Sequence, residues 1–108
     1  MNPTGGYLYD MQTARAHYFL NNYEQALAYL NSAHERNPTF IDLQMYIAAT
    51  YIQLGRYDDA GWIMLEAKQT NPDFDPHAWA MAYPYLDDKG YRAKLLKDIE
   101  RAEAYSRK

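Results

Sequence analysis

The segments RNPTF (Arg36–Phe40) and TNPDF (Thr70–Phe74) decide how this chain folds, because they say nearly the same thing 34 residues apart. Sliding the sequence by that distance pairs Met11 with Met45, Ala14 with Ala48 and Leu20 with Leu54. It also pairs Tyr23 with Tyr57, Ala26 with Ala60, and Ala33 with Ala67. Similar residues fall between them: His17 meets Tyr51, Glu24 meets Asp58, and Leu30 meets Met64. A fixed period of this length is the mark of stacked supersecondary units, none of which can bury its apolar face alone.

Each unit reads as two helices. In the second, Leu43, Ile47, Tyr51 and Leu54 form a helical stripe. Gly55 follows, where a left-handed residue ends a helix. Asp58 and Asp59 then stand near a new helix start, where carboxylates complement exposed amide groups. That helix carries Ala60, Met64 and Ala67 on one face, and Asn71-Pro72 closes it, because proline disfavours helix in the residue before it. The first unit repeats the plan, with Asn21-Asn22 in place of the glycine turn. The alanines mark where antiparallel helices can approach to roughly 8 Å, which only small side chains allow. Tyr23 and Tyr57 follow the turns and are expected to wedge between the helices.

The totals narrow the function classes. A chain of 108 residues suits a single domain with a modest core. A net charge of −3 without a basic stripe gives nucleic acid nothing to hold. Cysteine is absent, which excludes disulfides and thiolate metal sites. Apolar runs fall well short of the roughly 20 residues of a membrane span, so no membrane insertion is expected. The first residues show no basic stretch leading into an apolar one. A cytoplasmic setting is expected, with a periplasmic one left open. Twelve tyrosines, apolar in body and polar at the tip, suit half-buried packing and contact surfaces.

Ala48, Tyr51, Gly55, Tyr57, Ala60, Ala67 and Pro72 fall in order on the pattern of the tetratricopeptide repeat, which the chain resembles over about residues 7–74. The first unit matches with Ala14, Tyr23, Ala26, Ala33 and Pro38, and departs at His17 and Asn21. The resemblance implies an all-α, right-handed superhelix of about three helix–turn–helix units, at 7–40, 41–74 and 75–106. The third is atypical. Asp75-Pro76 opens it well. Pro84, however, should break its first helix near Tyr83, and Lys94 stands where alanine is usual. Its last helix, about Tyr91 to Tyr105, places Leu95, Ile99 and Ala102 on one face, with Lys94, Lys97, Asp98 and Arg101 expected outside. Such a charged final helix suits a capping element. "NPT" at Asn2–Thr4 echoes "NPT" at Asn37–Thr39, so residues 1–108 are expected to form one repeat domain at the C-terminal end of a longer array. The tail from Pro84 to Asp87, with its leucine-rich helix, is similar to the ends of repeat regions in bacterial nucleotide cyclases and some transcriptional regulators. That implies a regulatory appendage as an alternative role.

In this family the first helix of each pair lines a concave groove. Carried over by register, the groove candidates are Leu8, Met11, Arg15, Tyr18 and Phe19, then Met45, Tyr46, Ala49 and Ile52, then Trp79, Tyr83 and Leu86. About half are expected to be exposed there, the rest being core. The stripe is rich in methionine and aromatic rings, which adapt to and anchor protein partners. Met11, Arg15, Met45 and Ala49 occupy positions where some relatives clamp a peptide carboxylate with lysine and asparagine, so an apolar protein or peptide segment is the better ligand. A second copy of the chain is another candidate partner. Catalysis is not expected. His17, His34 and His77 lie on different helices, and His17 reads as a packing substitute for the repeat tyrosine. Asn71, Asp73 and Asp75 begin like a calcium loop but lack its glycine and closing glutamate, so capping explains them better. No metal or cofactor is called for, and no glycine-rich phosphate loop is present.

Overall fold

The computed structural model describes residues 6–82 and 90–106, with side chains from Asp10 onward. Among these residues there are six helices and no strand: α1 (Gly6–Phe19), α2 (Tyr23–Arg36), α3 (Ile41–Gln53), α4 (Tyr57–Thr70), α5 (Pro76–Ala82) and α6 (Tyr91–Ser106). The helices α1 and α2 form one hairpin, α3 and α4 a second, and α3 stacks on α2. Ala14, Ala26, Ala33, Ala48, Ala60 and Ala67 are all fully buried, as the close-approach reading requires.

The turns explain the register. Asn21 and Gly55 both hold left-handed backbone, with φ of 67° and 77°, two residues before α2 and α4 begin. Asparagine tolerates this conformation better than most side-chain-bearing residues. Gly90 repeats the device at φ 75°, but directly before α6. Tyr23 and Tyr57 are half-buried beside their turns. Asp75 caps α5 through Oδ1, which accepts hydrogen bonds from the backbone N–H groups of His77 and Ala78 at 3.0 and 3.3 Å. Pro76 takes the first helical position. Described residues of α5 end at Ala82; Tyr83, Pro84 and Leu86 lie outside the described residues.

The third unit departs from the expected stack. Between the first two units the leading helix of the second, α3, lies on the preceding hairpin; after the second unit α6 takes that place, lying against both α3 and α4, while α5 packs chiefly on α6. Gly61 makes this possible. A Cβ added there would come within 2.9 Å of the Tyr105 carbonyl carbon, so backbone approaches backbone. The equivalent residue in the first unit is Leu27. Leu95, Ile99 and Ala102 of α6 are fully buried. Lys94 and Asp98, expected in solvent, turn inward instead, and Asp98 is only 2% exposed. The cause is a set of polar and aromatic partners on the first two units that no reading of α6 alone reveals.

Candidate functional site

The expected groove stripe is mostly covered. Met11, Tyr18, Met45, Tyr46, Ala49 and Ile52 are all buried, Tyr18, Met45, Tyr46 and Ala49 completely. Arg15 and Trp79 are half-buried. The side chains of Leu8 and Tyr83 lie outside the described residues. Of the described candidates, then, more are core than the even split expected.

Aromatic rings join the stripe to the third unit. Tyr46 meets Tyr18 edge to face at 5.7 Å, Phe19 at 6.2 Å and Trp79 at 6.0 Å. The Trp79 indole N–H donates to Asp42 Oδ1 at 2.7 Å, fixing α5 to the start of α3. Phe19 stacks on Tyr91 at 4.3 Å, which ties α1 to the start of α6.

Between these rings lies a polar seat for α6. Lys94 Nζ donates to the Tyr18 carbonyl at 3.2 Å, to Asn21 Oδ1 at 2.7 Å and to the Tyr23 hydroxyl at 2.6 Å. It also stands 4.8 Å from the centres of both the Tyr18 and Tyr23 rings, within cation–π range. One turn further on, Asp98 accepts a hydrogen bond from the Tyr18 hydroxyl at 2.5 Å, and both its oxygens accept from Gln53 Nε2 at 2.9 Å. Burial, and then the negative charge of Asp98, push the Tyr18 phenol far above its usual range, so it stays a donor. Tyr105 stacks on Tyr57 at 5.0 Å, and Arg101 lies over the Tyr57 ring at 5.2 Å.

Asn21, Tyr23, Gln53, Gly61, Lys94 and Asp98 were not in the sequence-level site. Three of them carried a signal. Lys94 replaces a repeat alanine, Asn21 replaces the turn glycine, and Gly61 replaces the leucine of the first unit. Departures from a repeat are where a second demand on the residue shows.

One part of the stripe stays open. Gln12, Arg15, Ala16 and Phe19 of α1, with Leu20 just after it and Tyr91, line a cleft of about 400 Å³. Gln12 and Ala16 are exposed, and Leu20 is 65% exposed, a large apolar side chain left in water.

The histidines do not converge. His17 stacks on Tyr29 at 5.7 Å, His34 lies 3.5 Å from Glu66, and His77 lies 3.5 Å from Glu100. Among the described residues, no group of three or more His, Cys, Asp and Glu could hold a metal ion, and no helix is long and apolar enough to cross a membrane.

Stacked helical hairpins with small residues at their crossings, an aromatic-lined inner face and left-handed turns at a 34-residue spacing define a helical-repeat scaffold. The chain belongs to the tetratricopeptide repeat family, whose model matches residues 20–82. Such repeats generally mediate protein–protein interaction and are typically non-catalytic. No curated protein and no solved structure matches the chain.

Proposed function

We propose that this chain is a non-catalytic interaction module that holds an apolar helix or extended segment of a partner protein in the open cleft on α1. Within the expected groove set, Arg15 and Phe19 line this cleft, while Met11, Tyr18, Met45, Tyr46, Ala49 and Ile52 are buried in the core. The observation that carries the reading is exposed Ala16 and Leu20 beside half-buried Phe19 and Arg15, apolar surface left open along the cleft. An exposed apolar strip framed by polar residues marks a contact surface.

A photo-crosslinking residue placed at Ala16 tests this in cells. Adducts should form there, and Leu20→Glu should abolish them without loss of helicity. Equal adducts from the same residue placed at Gln25, on the exposed outer side of α2, would show that the cleft is not the contact face. An adduct of twice the chain mass would identify the partner as a second copy.

A further inference from the structure

We infer that the seat of α6 is a recognition surface for an amphipathic helix that presents a lysine and, four residues later, an aspartate beside an apolar stripe, and that α6 is its resident occupant. The polar contacts of the seat use none of the residues that line the α1 cleft, although Tyr91 of α6 also borders that cleft; substitutions at Lys94 and Asp98 therefore test the seat, and those at Ala16 and Leu20 test the cleft.

Three features carry this. First, the seat discriminates charge along the helix. At one end it offers only acceptors and ring faces: the Tyr18 carbonyl, Asn21 Oδ1, the Tyr23 hydroxyl and two phenol rings around Lys94. One turn along it offers only donors, the Tyr18 hydroxyl and Gln53 Nε2, which converge on Asp98. Among the described residues neither Lys94 nor Asp98 has an ion-pair partner. Neutral groups of the repeats satisfy both charges. A helix that served only as a lid would hold as well with apolar residues there, since a buried charge gains little over a well-packed apolar side chain. What the charges add is register.

Second, the polar seat is built without the helix that leads into α6. Its polar groups come from α1, the turn after it, the start of α2 and the end of α3, and none from α5. The Tyr23 hydroxyl donates to Asn21 Oδ1 at 2.7 Å, so part of the acceptor cluster is held by the first unit itself. Third, Gly61 strips the α4 surface of a side chain where the helix backbone passes. A glycine inside a helix costs about 1 kcal/mol relative to alanine, and here it opens a track for a helix backbone. The fitting partner therefore carries lysine, aspartate four residues on, and apolar residues one, five and eight positions after the lysine, as Leu95, Ile99 and Ala102 follow Lys94.

The test uses the full chain with its own occupant weakened, Lys94→Ala with Asp98→Ala, and the seat left intact. The probe is a fluorescein-labelled peptide of residues 90–106, read by anisotropy. The wild-type chain should bind it at least tenfold more weakly than the double variant, because a tethered helix competes at high effective concentration. A peptide with the lysine and aspartate interchanged should lose at least tenfold. A peptide keeping only those two residues and the three apolar positions, on an alanine and glutamate background, should compete with the probe. Its failure would restrict the seat to the α6 of a second copy and overturn the stated partner chemistry. If circular dichroism shows the double variant unfolded, Asp98→Asn replaces it, with a smaller gain in the same direction. Helical variants that gain no binding, or equal binding of the interchanged peptide, would overturn the proposal.

Discussion

In the first hairpin, Gln12 and Ala16 of α1 and Leu20 just after it stand in solvent; in the second, the residues one repeat further on are Tyr46 and Thr50, both buried, and Leu54, half-buried. Every residue of α3 from Leu43 to Thr50 is buried. The two helices follow one pattern and differ in what covers them. On α3, the rings of α1 pack on one side, while Trp79 of α5 and the length of α6 close the other. Burial in a repeat stack is therefore set by neighbours as much as by the residue at each position. The second hairpin has also adapted to that role. Thr50 sends its hydroxyl to the Tyr46 carbonyl at 2.7 Å, so the polar group is satisfied in a buried place. Ile47 replaces Thr13, and Gly61 replaces Leu27.

Exchanging residues between the hairpins breaks this contrast most directly. Gly61→Leu installs the first-unit residue where Tyr105 backbone already sits, and should destabilise the fold by about 3 kcal/mol or more, the upper range of overpacking. Urea denaturation would measure it, and near-wild-type stability would mean that α6 is not held there. Asp98→Ala removes the buried acceptor and leaves the Tyr18 hydroxyl and Gln53 unpaired, which should cost about 2 kcal/mol.

The same pair makes a pH prediction. The Tyr18 phenol is raised above its unfolded value of about 10 by burial first and Asp98 second. Its contribution to stability is complete below that pH and falls away as pH rises past it. Thermal melts should show Tyr18→Phe flattening this alkaline loss. At the turns, Gly55→Ala has open space around the new methyl group and pays only for left-handed backbone, roughly 1 kcal/mol. Asn21→Gly tests the other turn, where backbone strain is relieved but an acceptor for Lys94 and Tyr23 is lost. Last, Leu20→Glu should leave stability within about 0.5 kcal/mol, as exposed positions do. A large loss would mean that the cleft on α1 is filled by the chain itself.

The fold was legible because its grammar is local. Six small residues at repeat spacing, two asparagine–proline stops and left-handed turn residues place four helices before any packing is known. The candidate site was legible only in outline. Met45, Ala49 and Ile52 read as groove because the family pattern puts them there, yet their exposure depends on where a later helix lands. Lys94 and Asp98 read as solvent-facing because charge on a helix usually is. Their partners, Tyr18, Asn21, Tyr23 and Gln53, lie 45 to 80 residues away along the chain. Pairings over such distances leave no periodic trace.

What the sequence determined by itself is the pair of copied hairpins, since helix stops, turn conformation and small-residue crossings act within a few residues of their cause. What only the tertiary structure decided is the place of α6, across the second hairpin instead of beyond a third. A glycine on α4 and acceptors and donors on α1 and α3 select that position together, and their joint geometry exists only once the first two hairpins have stacked.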